Sequence, residues 1–178
     1  MMKKAVFIDR DGTINQQVDG YLTSWSDFKF LPGVLDALKT IAGSDYKIMV
    51  VTNQSAVGRG MLDVGVLEEI HERMLAEVEG YGGRIDAVYV CMHAPEDGCS
   101  CRKPGVGLLR LAEASFDLDL SSSWMVGDKT TDILTGVNAG CHTLLVETGY
   151  GGGDGLYDVE PEFSVSDLGV AVSLILKN

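Results

Sequence analysis

Two acidic residues near the start of the chain follow a short apolar run. Asp9 and Asp11 lie in the segment DRDGT, directly after the run VFI. Carboxylates in this arrangement can converge on one cation and one phosphorus atom, and Mg²⁺ is a hard cation that prefers oxygen ligands. One carboxylate can attack phosphorus while the other donates a proton to the leaving oxygen and later activates water. Both are therefore candidate catalytic residues, although a solvated turn is equally compatible with an isolated DxDG segment.

Three later segments carry side chains that suit the same chemistry. The hydroxyl of Thr52 and nearby N–H groups can hold phosphoryl oxygens, whereas a turn or helix cap is the commoner use of such residues. Lys103 can place a point charge on a phosphoryl group, and Arg102 can make forked contacts to substrate oxygens. Ordinary surface charge is the alternative for both. Asp128, in the segment GDKTTD, supplies a third carboxylate, and Asp132 is predicted to start a helix or to act as an outer partner.

Three cysteines and one histidine cluster between residues 91 and 101, in the pattern C-x-H…C-x-C. The four candidate ligands are Cys91, His93, Cys99 and Cys101. Three thiolates and one imidazole complete a tetrahedral zinc site and leave no position for water, so the metal is predicted to be structural. An iron–sulfur cluster is the less suitable alternative because histidine replaces one thiolate. The zinc would staple the loop that delivers Arg102.

Short runs rich in valine and isoleucine recur along the chain and alternate with stretches of helical spacing. The predicted strands are Ala5–Ile8, Lys47–Val51, Ala87–Val90, Trp124–Val126 and Thr143–Val146, and a last helix is predicted over about Ser166–Leu176. This alternation predicts an α/β, Rossmann-like three-layer sandwich with a central parallel sheet. Loops with candidate catalytic or metal-binding side chains follow four of the five strands. Because ligands bind beyond the carboxyl ends of parallel strands, these loops are expected to form one site.

Composition limits the classes of function. The chain has 178 residues, consistent with a single domain over 1–178, and a formal net charge of -12 that disfavours nucleic acid. No apolar run approaches the length of about 20 residues that spans a membrane. A cytoplasmic protein is expected, and nothing in the sequence demands more than a monomer. His71 and His142 have no evident partners in the sequence and are interpreted as structural, and the glycine run at 149–153 as a mobile loop.

Taken in order, the segments DRDGT, TN, the lysine of RKP and GDKTTD resemble the motifs of the haloacid dehalogenase superfamily of phosphatases over nearly the whole chain. The resemblance implies a sheet order of 5-4-1-2-3, and the short gaps after Asp11 and Thr52 leave no room for a large cap domain. It implies that Asp9 is the nucleophile and Asp11 the general acid/base. Thr52 and Lys103 would stabilise the phosphoryl group. Mg²⁺ would be held by the carboxylates of Asp9 and Asp128 and the backbone carbonyl of Asp11.

Two branches of that superfamily carry a similar C-x-H…C-x-C-R-K-P loop: the heptose bisphosphate phosphatases and the histidinol-phosphate phosphatases. The stretch TNQSAVGRG at 52–60 looks like the TNQSGxARG of the heptose branch, whereas histidinol-phosphate enzymes usually have Asp where Ser55 stands. The resemblance implies a small-molecule sugar bisphosphate as substrate. Its 7-phosphate would be hydrolysed through an aspartyl-phosphate during synthesis of nucleotide-activated heptose for lipopolysaccharide core or surface glycan. The alternative is histidinol phosphate in histidine biosynthesis.

The resemblance also implies a set of substrate contacts in four segments of the chain. They are Asp19, Gly20, Tyr21, Asn53, Gln54, Ser55, Arg59, Arg102 and Lys129. The sequence departs from the heptose pattern in three places: Met92 replaces a usual Pro, the loop between His93 and Cys99 is short, and AVG replaces Gly-x-Ala. An alternative of a different class is a zinc-stapled scaffold that binds a phosphorylated partner without turnover. Two adjacent acids argue against it, because a pure binder gains nothing from placing them beside a phosphate.

Overall fold

The computed structural model describes residues 2–178 and contains one parallel sheet of six strands. The strands are β1 Ala5–Ile8, β2 Lys47–Asn53, β3 Ala87–Cys91, β4 Trp124–Gly127, β5 His142–Val146 and β6 Phe163–Val165. Their order across the sheet is β3-β2-β1-β4-β5-β6. The predicted order of the first five strands is therefore confirmed.

The sixth strand corrects the five-strand prediction. Phe163–Val165 pairs in parallel with β5, so that Leu144 lies opposite Phe163 and Val146 opposite Val165. Three residues at a largely exposed edge are too few to show either an alternating pattern or a continuous apolar run. Only the pairing with β5 reveals this strand.

Helices cover both faces of the sheet. They are α1 Val34–Ala42, α2 Ser55–Gly58, α3 Val64–Gly80, α4 Gly107–Phe116, α5 Thr130–Ala139 and α6 Leu168–Ile175. Successive side chains of a strand point to opposite faces. Val6 and Ile8 accordingly pack in one apolar cluster with α1, α3 and α6, whereas Ala5 and Phe7 pack in a second cluster with α4 and α5. The result is the predicted three-layer sandwich.

Side chains at the helix starts fix where several helices begin. The carboxylate of Asp63 accepts a hydrogen bond from the N–H of Gly65 at the start of α3 (2.8 Å), and Asp167 accepts one from Val170 at the start of α6 (3.0 Å). Such caps satisfy N–H groups that have no partner within the helix. The α6 cap explains why this helix begins two residues later than predicted.

The connections near the functional edge of the sheet are short. Residues 9–33 contain one 3-10 turn at Trp25–Asp27, and residues 54–63 contain only α2. Neither segment holds a cap domain, as predicted. Among residues 2–178, the structure has no helix of the length and apolar character that a membrane crossing needs.

Candidate active site

The carboxyl ends of β1 and β4 bring three buried carboxylates together. Asp9 follows β1, Asp128 follows β4, and Asp132 lies in the first turn of α5. One carboxylate oxygen from each lies within 4.8 Å of the others, and all three side chains are buried. The backbone N–H of Asp9 donates to the carbonyl of Val126 (2.9 Å), which extends the β1–β4 pairing to the site. The parallel sheet therefore creates an acidic cluster from residues far apart in sequence.

Lys103 is the cation of this cluster. Its Nζ donates to Asp9 Oδ1 (2.7 Å) and to Asp132 Oδ1 (2.6 Å), and the residue is 4% exposed. Burial lowers the pKa of Lys103, but the charges of Asp132 and Asp9 outweigh burial and hold the pKa above its ordinary value. Asn53 fixes the lysine backbone through two hydrogen bonds, one to the Lys103 N–H (3.1 Å) and one to its carbonyl (3.2 Å). The Asn53 side chain thus positions the lysine.

The donor set fits a magnesium ion. Asp128 Oδ1 is buried without a hydrogen-bond partner, whereas Oδ2 accepts from the N–H of Tyr150 (2.8 Å). Burial, followed by the charges of Asp9 and Asp132, raises the pKa of Asp128 to about 8. A buried carboxylate oxygen without a partner is costly, and a hard divalent cation is the group that satisfies it. The residues at this cluster therefore suit Mg²⁺.

The glycine-rich segment after β5 packs directly on the acidic cluster. A Cβ atom at Gly12 or at Gly149 would overlap Asp128 Oδ2, so only glycine allows this approach, and both residues have positive φ. The N–H of Gly152 donates to the carbonyl of Asp128 (2.8 Å). The Tyr150 ring lies 4.8 Å from the Nζ of Lys129, within the range of a cation–π interaction. Sequence patterns indicated a loop here but gave no sign of these contacts.

Asp11 lies beside the cluster and makes its own network. Its carboxylate accepts from Nε and Nη2 along one edge of the Arg10 guanidinium, from Asn15 Nδ2 (3.0 Å) and from Gln54 Nε2 (2.8 Å). Burial raises the pKa of Asp11, but the charge of Arg10 and these hydrogen bonds outweigh burial and lower the pKa overall. Gln54 Nε2 also donates to the hydroxyl of Thr52 (2.8 Å), so one amide links two predicted catalytic side chains.

An open cavity of about 410 Å³ lies above this network, and a smaller one of about 40 Å³ reaches the cluster itself. Asp11, Lys103 and Lys129 line both cavities, and Asp9, Thr52 and Asp132 line the smaller one. The predicted substrate contacts that line the larger cavity are Gly20, Tyr21, Asn53, Gln54, Ser55, Arg102 and Lys129. Three cationic side chains, Arg102, Lys103 and Lys129, therefore line the cavities of the site although the protein as a whole is acidic.

Two predicted contacts lie outside the larger cavity. Asp19 lines a neighbouring depression, and Arg59 pairs with Glu96 at the surface (2.9 Å). Their roles as substrate contacts stay predictions. Residues that the sequence analysis did not identify complete the wall, namely Gln17, Val18, Leu22, Pro95, Thr131, Leu156 and Tyr157. No spacing pattern marked Tyr157, because its place depends on the loop that follows the glycine run.

The Cys/His cluster has the geometry of a zinc site. Its three Sγ–Sγ separations are 3.4, 3.4 and 3.6 Å, and His93 Nδ1 lies 3.2 Å from Cys101 Sγ and 3.7 Å from Cys91 Sγ. Ligands of a tetrahedral zinc, with zinc–sulfur bonds of about 2.3 Å, lie roughly 3.5–3.8 Å apart. All four cysteines of the chain are free thiols. The arrangement of the four predicted ligands is therefore compatible with a zinc site.

Comparisons with known proteins place these features in a family. A family model described as HAD-hydrolase-like matches residues 100–171. The chain is 38% identical to D-glycero-beta-D-manno-heptose-1,7-bisphosphate 7-phosphatase of Bordetella bronchiseptica, over 83% of each protein. It is 36% identical to D-glycero-D-manno-heptose-1,7-bisphosphate 7-phosphatase of Thermosynechococcus vestitus, over 98% of this chain and 96% of the relative.

A solved structure agrees with this relationship. The D,D-heptose 1,7-bisphosphate phosphatase from B. bronchiseptica, crystallised with magnesium and phosphate, matches the fold with a TM-score of 0.92 at 35% identity. The match covers 98% of each chain. The match therefore spans the segments of this chain that carry the sheet, the acidic cluster and the Cys/His loop.

Proposed function

This chain belongs to the haloacid dehalogenase-like hydrolases, and from that premise we propose that it removes the 7-phosphate of D-glycero-D-manno-heptose 1,7-bisphosphate. It is a phosphoric monoester hydrolase. The observation that carries the proposal is the buried cluster of Asp9, Lys103 and Asp128 beside a cavity that further cations also line. A substrate with two phosphates matches a site that has cations beside the acidic cluster and a further cation, Arg102, in the larger cavity.

The reaction follows from the roles of these side chains. A carboxylate oxygen of Asp9 attacks phosphorus, the bond from phosphorus to the sugar oxygen breaks, and Asp11, which takes up a proton when the anionic substrate binds beside it, gives that oxygen the proton. Asp11 then takes a proton from water as the water attacks the aspartyl-phosphate, which frees Asp9 and releases phosphate. Lys103 and Thr52 stabilise the phosphoryl oxygens.

Magnesium fits the same site. Asp9 and Asp128 would hold it through their carboxylates and Asp11 through its backbone carbonyl. When bound, the ion neutralises charge between the carboxylates and the incoming phosphate. The unpartnered Oδ1 of Asp128 supports this assignment within the protein. The magnesium in the related B. bronchiseptica structure is independent support for a magnesium site.

The remaining contacts are proposed to determine which substrate the site accepts. Arg102 and Lys129, which line the larger cavity, are proposed to bind the second phosphate, where a planar guanidinium suits forked contacts. The residues proposed to contact the sugar and its oxygens are Asp19, Gly20, Tyr21, Asn53, Gln54, Ser55 and Arg59. Zinc on the cluster at 91–101 is proposed to be structural, since four protein ligands leave no open position. Bound zinc would fix the segment that carries Arg102 and Lys103.

We further propose one domain over 1–178, acting as a monomer in the cytoplasm on a small sugar bisphosphate and on no nucleic acid. Zinc thiolates persist where cysteines are kept reduced, which favours that compartment. The net charge of -12 opposes binding to a polyanion. The reaction would serve the synthesis of nucleotide-activated heptose for lipopolysaccharide core or a surface glycan.

A comparison of kcat/KM for heptose 1,7-bisphosphate and for histidinol phosphate, with magnesium present, tests the proposal. A preference for the heptose, abolished in Asp9→Asn, is expected. A clear preference for histidinol phosphate would overturn the substrate. Binding of the sugar phosphate without any phosphate release, in wild type and Asp9→Asn alike, would point instead to a scaffold without turnover.

A further inference from the structure

A fully buried arginine stands between the two acidic residues of the first motif. Arg10 is 0% exposed and lines neither cavity of the site, so it is not available to contact substrate. Its Nε and Nη2 atoms donate to Asp11 Oδ1 (3.2 and 2.8 Å), and Nη2 also donates to Oδ2 (2.8 Å). Arginine is almost never fully buried unless its charge is paired. Here the partner is the residue proposed to move the proton.

A histidine from a distant helix holds the other side of the guanidinium. Arg10 Nη1 lies 3.0 Å from His71 Nε2, and His71 belongs to α3. Because a guanidinium has donors only, His71 must accept through Nε2 and carry its proton on Nδ1. Burial, followed by the charge of Arg10, lowers the pKa of His71 to about 4. The histidine is therefore neutral, which is the state that this contact requires.

The Asp11 carboxylate is held from several sides and remains open on one. Asn15 and Gln54 donate to its oxygens beside Arg10, and its side chain keeps 20% exposure where it faces the cavity. Arg10 supplies most of these hydrogen bonds and is itself fixed by His71. The orientation of Asp11 toward the cavity thus depends on a contact with α3, outside the strand-end loops.

We propose that Arg10 and His71 are positioning residues for proton transfer: His71 fixes the Arg10 guanidinium, and the guanidinium fixes Asp11 against the cavity. The inference rests on the role proposed above for Asp11. The step that it affects is breakage of the ester bond, in which the electron pair goes to the leaving oxygen and the proton of Asp11 goes to that same oxygen. A misplaced carboxyl slows this step most when the leaving oxygen is strongly basic.

Two aryl phosphates of similar shape separate positioning from general damage. Nitrophenolate leaves readily without a proton, whereas phenolate is a stronger base and needs one. We expect His71→Leu to lower kcat about 10-fold to 100-fold on phenyl phosphate but less than about threefold on p-nitrophenyl phosphate, with KM little changed. His71→Gln should recover most of the loss, because its amide oxygen can accept from Arg10. Equal losses on both esters, or no recovery in His71→Gln, would overturn the proposal.

Further variants guard against misfolding. Arg10→Lys keeps the charge but lacks the fork in which separate nitrogens reach Asp11 and His71, so it should reproduce the dependence on the leaving group. His142→Gln is the matched control: His142 is exposed, pairs with Glu162 (2.7 Å) and should leave both rates unchanged. Neither ester is the proposed sugar. If the wild-type enzyme does not hydrolyse heptose bisphosphate, the proposed substrate is wrong. The comparison of the two aryl phosphates still tests the positioning role of Arg10 and His71.

The contact can also be measured without turnover. In the ¹⁵N spectrum of the wild-type protein, His71 should show an unprotonated Nε2 and a protonated Nδ1 near neutral pH. Arg10→Lys should shift the Nε2 resonance. A protonated Nε2 in the wild type would remove the hydrogen bond on which the proposal depends.

Discussion

Replacement of Lys103 by methionine removes one buried charge and leaves the volume of the side chain nearly unchanged. The lysine Nζ bridges Asp9 and Asp132 at 2.7 and 2.6 Å, and all three side chains are almost inaccessible to water. Removing one partner from a buried ion pair costs about 3–5 kcal/mol, because the remaining charge stays buried. In a chain of this size 1 kcal/mol shifts the Tm by roughly 2–4 °C, so a decrease of about 6–20 °C is expected.

The same substitution should lower kcat by about 10²–10³-fold, the cost of losing one group that stabilises transition-state charge. A second variant, Lys103→Met with Asp132→Asn, separates the two effects. It removes one of the two carboxylates that the lysine no longer neutralises. The amide oxygen introduced at this position can still accept the hydrogen bond that the N–H of Lys129 now donates to Asp132 (3.1 Å). The double variant should regain at least half of the lost Tm and none of the lost kcat.

Calorimetry gives the Tm, and steady-state phosphate release at saturating magnesium gives kcat. If Lys103→Met melts early but keeps kcat within about threefold of wild type, the lysine has only a structural role. If the double variant regains rate together with stability, the loss of rate came from the strained cluster. Either result would refute the argument that the Lys103 charge acts on the phosphoryl group.

Three further predictions follow from other parts of the molecule. Arg102→Ala should lower kcat/KM for heptose bisphosphate about 10-fold to 100-fold through a raised KM and leave p-nitrophenyl phosphate unaffected, with the exposed Arg110→Ala as an unchanged control. Cys101→Ser should abolish zinc, measured by metal analysis, and make the segment at 91–106 sensitive to protease; full zinc content in this variant would contradict the ligand set. Below pH 6.5 the unfolded state holds more protons on His71 than the folded state does, because the pKa of this residue is lowered to about 4 in the fold, so the contribution of His71 to stability becomes destabilising as the pH falls. Between pH 6.5 and pH 5 wild type should lose about 1.5 kcal/mol more unfolding free energy than His71→Gln in urea titrations, and parallel losses would show that His71 titrates normally.

The sheet was largely predictable because its strands are continuous apolar runs. Each of the first five strands carries enough valine or isoleucine for local pattern to identify it, and DRDGT and GDKTTD mark two of the strand ends. The Cys/His cluster was predictable for a related reason. Its four ligands lie within eleven residues, so the geometry of one short loop brings them together.

The structure alone revealed the features that depend on pairs of distant residues. β6 is too short for a pattern and exists through its pairing with β5. The glycine-rich segment carries no motif, yet Gly149 closes on Asp128 because both follow neighbouring strands.

Arg10 is the clearest case of this difference. In the sequence it is only the second letter of DRDGT, and His71 lies 61 positions later on a helix with an ordinary apolar pattern. The sequence by itself determined which side chains could carry out phosphoryl transfer, since strand ends and ligand spacing are local properties. Only the tertiary structure decided which side chains hold them in place, because burial and hydrogen-bond partners arise when separate elements pack together.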